Sequence, residues 1–187
     1  MKKIILASQS PRRKQLLEWA EIDFEVMVSE ADESFSADLA IEEVPVFIAR
    51  QKALAIKNKL AHNNQTIVAA DTVVVLNNTI IGKPNSKEEA ITILSSLSGN
   101  THTVITGVVI LHEEKEIAFA DTTAVEFYTL TQEQIEFYVE KYKPYDKAGA
   151  YAIQEWIGVV GIKQIKGDFY NVMGLPVSKV VQTLHSL

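Results

Sequence analysis

Short apolar runs and longer amphipathic segments alternate along the 187-residue chain. The run KIILA at residues 3–7 predicts a buried strand, and residues 11–20 predict a helix, because Ser10-Pro11 is typical of the N-cap and first helical positions. Residues 23–29 (DFEVMVS) alternate as a strand does, and a second helix is predicted over residues 44–59. The N-terminal part therefore predicts alternating strands and helices.

The central part of the chain holds its most strand-like segment. Residues 66–76 (TIVAADTVVVL) predict a strand, and Asn77-Asn78 predicts a tight hairpin into TIIGKP. Ser86 and Glu89 have the spacing of a capping box, which predicts a helix that ends at Gly99. Residues 102–130 then predict two long strands around a charged turn.

The C-terminal part continues the mixture. Thr131 and Gln134 predict another capping box and a helix that ends before Pro144. Residues 145–154 are typical of a loop, residues 156–172 predict a hairpin around Lys166-Gly167-Asp168, and residues 175–187 predict a closing helix. The whole order predicts an α/β protein with a mixed sheet wrapped by helices, as one domain over residues 1–187 or two lobes with a cleft.

Composition narrows the class of protein. A hydrophobic fraction of 47% and a charged fraction of 22% are typical of a soluble globular chain. The net charge of −6 disfavours general nucleic-acid binding, and the absence of cysteine excludes disulfides, thiolate metal sites and thiol nucleophiles. The start MKKIILASQS is too short an apolar run for a signal peptide, and no apolar stretch approaches the roughly 20 residues of a membrane span, so we expect a cytoplasmic protein.

The first helix carries cations where the helix dipole is already positive. Arg12, Arg13 and Lys14 follow Ser10-Pro11, whereas a helix N-terminus normally favours acidic residues. An anion such as phosphate would bind both the free N–H groups and the arginines, and Ser8 lies in the same region. The alternative is a solvated basic turn. No P-loop pattern occurs in the chain, which disfavours ordinary kinase or ATPase chemistry.

Asp71 and Thr72 interrupt an apolar strand. A buried unpaired carboxylate is costly, so Asp71 is expected to pair with a cation, bind a metal or lie at the edge of a cleft. The alternative is a carboxylate that accepts backbone N–H bonds at a strand irregularity. Either reading makes Asp71 the acid of greatest interest.

Other polar residues are weaker candidates. Glu30, Asp32 and Glu33 form an acidic loop that suits Mg²⁺ or Mn²⁺ but is more often solvated surface. Lys52 and Lys83, taken alone, are expected to be exposed to solvent. Gln154 follows small residues that would allow close approach of a ligand, and its amide could bond a base edge, although a packed loop is the alternative.

Six segments in order, LASQSPRRKQLL, ADTVV, GKP, SGNTHTVITGV, DKAGAYAIQ and MGLPVSKV, resemble the Maf family, first named for an effect on septum formation. The resemblance implies an elongated α/β fold similar to that of inosine-triphosphate pyrophosphatases (the Maf/Ham1 fold), with a cleft between two lobes. It implies hydrolysis of nucleoside triphosphates to monophosphate and pyrophosphate with a divalent metal, Mg²⁺ or Mn²⁺. It also suggests a homodimer.

The resemblance assigns roles to individual residues. It makes Asp71 the proton acceptor, adds Lys83 and Glu33 as catalytic residues, and places Asp71 and Glu33 at the metal. The residues that it implies face the phosphates are Ser8, Arg12, Arg13, Lys52 and Lys83. The residues that it implies select the base are Arg12, Thr72 and Gln154.

The loop DKAGAYAIQ resembles the version that acts on dTTP and UTP, with one departure, Ala152 where the motif has Gly. If that position needs a positive φ, the methyl group would alter the loop. Two questions stay open at this point. The first is whether Asp71 activates water itself or holds the metal ion that activates it. The second is whether the protein is an enzyme or a nucleotide-sensing module that affects cell division. Without a ligand, the cations of the first helix are expected to be mobile.

Overall fold

Strands and helices alternate in the computed structural model, which describes residues 3–28, 30–60 and 65–187. The strands are β1 (Ile4–Leu6), β2 (Phe24–Val26), β3 (Ile67–Leu76), β4 (Thr79–Ile81), β5 (Thr101–His112), β6 (Lys115–Phe127) and β7 (Ile162–Lys166). The helices are α1 (Pro11–Trp19), α2 (Val44–Lys57), α3 (Lys87–Leu97), α4 (Gln132–Tyr142), α5 (Trp156–Gly161), α6 (Phe169–Met173) and α7 (Val177–His185), and a short 3-10 helix spans Ala148–Ala150.

Among the described residues, seven strands form one mixed sheet in the order β2-β1-β3-β5-β6-β7, with β4 paired to β3. β1 is parallel to both β2 and β3, whereas β4 is antiparallel to β3 and β7 to β6. β3 pairs with β1 through Ile67 and Val68 and with β4 from Val74 onward. Asp71 and Thr72 therefore lie on β3 beyond the carboxyl end of β1, and the predicted mixed α/β sheet is confirmed.

The chain divides into two compact units. Unit 1 consists of Met1–Thr72, Thr106–Asp121 and Gly174–Leu187, and unit 2 of Val73–Ile105 and Thr122–Met173. β3, β5 and β6 contribute residues to both units. The number of domains and the cleft expected from the sequence stay predictions.

The core of unit 1 consists of small and branched apolar side chains from β1, α2, β3 and β5. Its buried members are Ile5, Ala7, Ala49, Ala53, Ile56, Ile67, Ala69, Val109 and Leu111. Helix α2 begins directly against Gly107 of β5, where an added Cβ would lie 2.2 Å from the backbone nitrogen of Val46. This close packing fixes the start of α2 on the sheet, and Lys52 lies beside the buried stripe of the same helix.

Unit 2 contains a buried aromatic cluster around His102. The His102 ring stacks on Phe127 and meets Tyr151 edge to face, with ring centroids 5.5 and 5.4 Å away, and its Nε2 lies 2.7 Å from the Tyr151 hydroxyl. His102 is 1% exposed. Because burial disfavours the charged imidazolium, it lowers the pKa of His102 to about 4.

Most predicted elements are observed, but residues 156–172 do not form a hairpin. α5 and α6 replace the two predicted strands outside β7. The alternation of Ile, Val and Gly resembled a strand, yet Val159 is 81% exposed, and α5 buries Ile157 and Gly161, four residues apart, as one helix face. Gly158 lies so close to the Ile153 carbonyl that an added Cβ would be 1.7 Å from its oxygen.

Two smaller predictions are also corrected. Ser86 caps α3 by accepting from the Glu89 N–H, but the Glu89 carboxylate accepts from Asn85 and so does not complete a capping box. The box of Thr131 and Gln134 on α4 is complete. The strand predicted over residues 23–29 is observed at Phe24–Val26, and its last residue, Ser29, lies outside the described residues.

We expect the buried neutral His102 to make the fold acid-sensitive. Its folded-state pKa lies below the value of 6.5 for a free side chain, so the unfolded chain binds more protons between pH 6.5 and 4 and stability falls as the pH drops through that range. The unmodified chain should lose about 3 kcal/mol more than a His102→Gln variant between pH 7 and 4, measured by urea unfolding. His185→Gln, at an exposed position, is the control, and equal pH dependence in the unmodified chain and His102→Gln would contradict the assignment.

Candidate functional site

The N-terminus of α1 lies directly after β1 and is ordered by two serines. The Ser10 Oγ accepts from the Arg13 N–H at 3.4 Å as the N-cap, and Pro11 occupies the first helical position, as predicted. The Ser8 Oγ accepts from the Ser10 N–H at 3.2 Å. In parallel α/β sheets the carboxyl edge of the strands is the usual position of a ligand, and this turn lies at that edge.

Arg13 is buried at the base of this turn. Its side chain donates from Nε to the Gly174 carbonyl at 2.7 Å, from Nη1 to the Ser8 Oγ at 3.2 Å and from Nη2 to the Thr72 Oγ1 at 3.0 Å. Burial lowers its pKa, while the charge of Asp71 raises it. The guanidinium stays charged, since arginine does not deprotonate in proteins. The expectation of a mobile cation is therefore wrong for Arg13.

The Thr72 hydroxyl is held by more than Arg13. It lies 2.9 Å from the Thr106 Oγ1 and 3.4 Å from the Gly174 carbonyl oxygen. Thr106 is fully buried. These bonds fix the Thr72 side chain, so the hydroxyl and the guanidinium of Arg13 form one rigid polar layer in unit 1.

Lys52 joins the two acidic residues that the sequence singled out. Its Nζ lies 2.7 Å from the Asp71 Oδ1 and 2.9 Å from the Glu33 Oε1. The side chains of Lys52 and Asp71 are each 15% exposed, whereas that of Glu33 is 55% exposed. The expectation that Lys52 is exposed is wrong, because Asp71 in β3 requires a partner for its charge and the lysine of α2 supplies it.

Arg12 lies at the half-buried edge of the same helix turn, and its charge lowers the pKa of Arg13. Unit 1 thus brings together most of the predicted site residues: Ser8, Arg12, Arg13, Glu33, Lys52, Asp71 and Thr72. Lys83 and Gln154 belong to unit 2 and are both exposed, Lys83 as predicted from its isolation. The roles of these two residues stay predictions.

Sequence reasoning missed Thr106 and Gly174. Thr106 is a polar residue within the apolar run of β5, and that interruption is the same signal that singled out Asp71. Gly174 has φ +114, and an added Cβ would lie 3.5 Å from the Thr72 Oγ1. In the sequence, a glycine before Leu175-Pro176 indicates only an ordinary turn. Its contact with Arg13 can be recognised only once the fold is known.

The carboxylates of Asp71 and Glu33 are the residues that could hold a metal. Both converge on one ammonium group, and carboxylate oxygen is the ligand that Mg²⁺ and Mn²⁺ prefer. Among the described residues, no group of three or more His, Asp or Glu side chains is placed to bind a metal. A hard cation held here would therefore take its remaining ligands from a bound molecule or water.

Sites for phosphorylated small molecules typically combine a capped helix N-terminus with arginine and lysine side chains. Unit 1 has such a helix N-terminus, two arginines and a lysine held between two carboxylates. The model of the family described as Maf-like protein matches residues 3–187. The chain belongs to this family, which confirms the resemblance drawn from its motifs.

Several curated relatives carry the same name. A protein of Cytophaga hutchinsonii named dTTP/UTP pyrophosphatase is 50% identical over 98% of this chain and 84% of its own. Proteins of the same name from Parabacteroides distasonis and Bacillus mycoides are 49% and 45% identical, over 97% and 98% of this chain and 94% and 95% of theirs. Among solved structures, that of the Staphylococcus aureus Ham1 protein aligns with 67% of this chain and 72% of its own, at 18% identity and a TM-score of 0.43.

We expect Arg13→Lys to destabilise the protein, because an ammonium group cannot reach the Gly174 carbonyl, the Ser8 hydroxyl and the Thr72 hydroxyl together. The free energy of unfolding should fall by about 2–4 kcal/mol in urea titrations. Lys14→Arg is the control, since the exposed Lys14 pairs with Glu18 at 3.7 Å on the surface and its replacement should change stability by less than about 0.5 kcal/mol. Equal effects of the two substitutions would contradict the structural role of Arg13.

Proposed function

We propose that the protein is a nucleoside triphosphate pyrophosphatase that hydrolyses dTTP and UTP to the monophosphate and pyrophosphate by attack of water at the α-phosphorus. The observation that carries this proposal is the Lys52 ammonium held between Asp71 and Glu33 in the unit that also contains the buried Arg13. Curated relatives at 45–50% identity that bear the name dTTP/UTP pyrophosphatase support it.

In the proposed complex, the N-terminal turn of α1, Lys52 and Lys83 bind the phosphates. Within the described part of the chain, the bonds of Arg13 use three of the five N–H donors of a guanidinium, and the remaining two suit a phosphate oxygen pair. Ser8 accepts from Ser10 and from Arg13, which leaves its hydroxyl hydrogen to donate to an anion. Arg12 and Lys83 add further positive charge for the triphosphate in this proposal.

Asp71 is the proton acceptor in the proposed reaction. The Lys52 ammonium lies 2.7 Å from the Asp71 Oδ1 and fixes the direction of the side chain, and a carboxylate is the form that can take a proton from water. An ammonium group has three N–H donors, of which Asp71 and Glu33 accept two. The third suits a phosphate oxygen, so Lys52 would link the acid to the substrate.

A divalent metal ion, Mg²⁺ or Mn²⁺, belongs to the same proposal. Asp71 and Glu33 would hold it, and when bound it would neutralise charge on the phosphate oxygens. Their carboxylates fit such an ion because both present oxygen atoms, the ligands that it prefers, toward the same ammonium group. Asp71 is then either the base alone or a metal ligand, and the two roles predict different responses to metal concentration.

Base preference would depend on Arg12, Thr72 and Gln154. The Thr72 hydroxyl is already bonded to Arg13 and Thr106, so its effect on the base would come through its methyl group or through the position of the arginines. Gln154 is exposed and offers a donor and an acceptor to a base edge.

Location and assembly complete the proposal. No helix in the described ranges is long and apolar enough to cross a membrane. A cytoplasmic location, where nucleoside triphosphates are abundant, and a homodimer are part of the proposed function.

The proposed activity is tested by pyrophosphate release from dTTP, UTP, CTP and purine triphosphates, with and without Mg²⁺ or Mn²⁺. We expect release from dTTP and UTP at rates well above those for the other nucleotides, and little release without metal. Binding of dTTP without release from any substrate would instead identify the protein as a nucleotide sensor.

We expect Asp71→Asn to lower turnover by about 10²–10⁴-fold while leaving dTTP affinity largely intact, because the amide keeps the shape of the carboxylate but cannot accept a proton. Asp121→Asn is a matched control, since Asp121 is also 15% exposed and paired with a lysine, Lys179, at the surface of unit 1. If Asp71 is a metal ligand, excess Mn²⁺ should restore part of the lost turnover. Near-normal turnover in Asp71→Asn would refute the assignment.

A further inference from the structure

The segment Asp146–Glu155 of unit 2, called the Gln154 loop, is mostly buried but carries the exposed side-chain amide of Gln154. Lys147 and residues 149–153 are buried, whereas Gln154 is exposed. A loop that buries most of its residues gives up their contact with water, so its path must be fixed by specific bonds. Those bonds identify the residues that orient Gln154.

The Tyr138 hydroxyl of α4 holds the loop on both sides of Gln154. It accepts from the Ala152 N–H at 3.2 Å and donates to the Glu155 Oε2. Residues 152 and 155 flank Gln154, so a single oxygen binds the backbone before it and a side chain after it. The Tyr138 ring is fully buried, which restricts its own movement.

Three further contacts hold the rest of the loop. The other Glu155 carboxylate oxygen lies 3.6 Å from the Lys147 Nζ, which lies 2.7 Å from the Asp146 Oδ1. The Tyr151 hydroxyl lies 2.7 Å from the His102 Nε2.

Gly149 ties the loop to the turn that carries Lys83. Its N–H donates to the Gly82 carbonyl at 3.1 Å, directly before Lys83. Gly149 has φ +71, and an added Cβ would lie 3.0 Å from the Val74 Cγ2, so only glycine fits there. The loop therefore also fixes the turn before Lys83.

We propose that Tyr138, with Glu155, is a positioning residue that holds Gln154 in the direction needed to select uracil and thymine. This inference rests on the proposed function. Two simultaneous hydrogen bonds to a uracil or thymine edge require the carboxamide of Gln154 to lie in a defined place, which its backbone sets. The Tyr138 hydroxyl constrains that backbone through the Ala152 N–H and the Glu155 side chain.

Tyr138→Phe tests the proposal because it removes the hydroxyl and keeps the buried ring. We expect KM for UTP and dTTP to rise about tenfold while kcat changes less than about threefold, and the preference for UTP over CTP in kcat/KM to fall about tenfold. Tyr142→Phe is the matched control, since its ring stacks on Tyr138 with centroids 4.9 Å apart and, in the described part of the chain, its hydroxyl is not bonded to the loop. An unchanged UTP-to-CTP preference in Tyr138→Phe would overturn the proposal.

A double-mutant cycle separates positioning from a general loss of stability. If Tyr138 acts through Gln154, adding Tyr138→Phe to Gln154→Ala should leave the UTP-to-CTP preference of the single Gln154→Ala variant unchanged. A further loss of preference in the double variant would contradict action through Gln154. Glu155→Gln keeps an acceptor for Tyr138 but loses the charge facing Lys147, so it should change the preference in the same direction by a smaller factor.

Amide hydrogen exchange tests the clamp without relying on catalysis. Residues 148–154 should exchange at least about tenfold faster in Tyr138→Phe than in the unmodified chain or in Tyr142→Phe. Unchanged exchange would overturn the positioning role even if nucleotide preference changed. If the unmodified chain hydrolyses no nucleotide, the proposed function fails, and the exchange result still decides whether Tyr138 holds the loop.

Discussion

The buried guanidinium of Arg13 is the interaction on which the site of unit 1 depends. Its three acceptors, the Gly174 carbonyl and the hydroxyls of Ser8 and Thr72, come from three separate parts of the chain. All three are neutral, and the negative charges that act on the guanidinium are those of Asp71 and Glu33, which raise its pKa against the effect of burial. A cation buried in this way costs free energy that an anionic ligand would recover, because burial weakens the screening of its charge.

The contacts of Lys52 are charged rather than neutral. Two carboxylates contact its one ammonium, and the charges of the same two carboxylates act on Arg13 in the α1 turn. In the proposed reaction, the two carboxylates would hold the metal ion and the arginines of unit 1 would bind the phosphates.

Features that depend on neighbouring residues could be predicted from the sequence, whereas features that depend on contacts between distant residues could not. The cap at Ser10, the left-handed turn at Asn77 and Asn78, and the complete box of Thr131 and Gln134 depend on neighbouring residues, and each is observed. The exposure of Lys52 was wrong because its partners, Glu33 and Asp71, lie 19 residues from it on either side along the chain.

The hairpin predicted over residues 156–172 failed for a related reason. The segment that became α5 is rich in residues that favour strands, but Gly158 and Gly161 allow it to pack closely against Ile153 and Phe127 as a helix. Tertiary packing overrode the local preference. The arrangement of the site could be predicted for the residues next to the helix cap, whereas Thr106 and Gly174 became recognisable only through their contacts with Thr72 and Arg13.

The structure accommodates Ala152, the residue at which the loop departs from the family motif. A methyl group would strain this position if the backbone were left-handed, but the residues of the loop with positive φ are Gly149 and Ala150, at +71 and +57. Ala152 instead has its N–H bound to Tyr138 and its side chain buried. The backbone at this position is held by a hydrogen bond rather than by the freedom of glycine, so alanine preserves the path of the loop to Gln154.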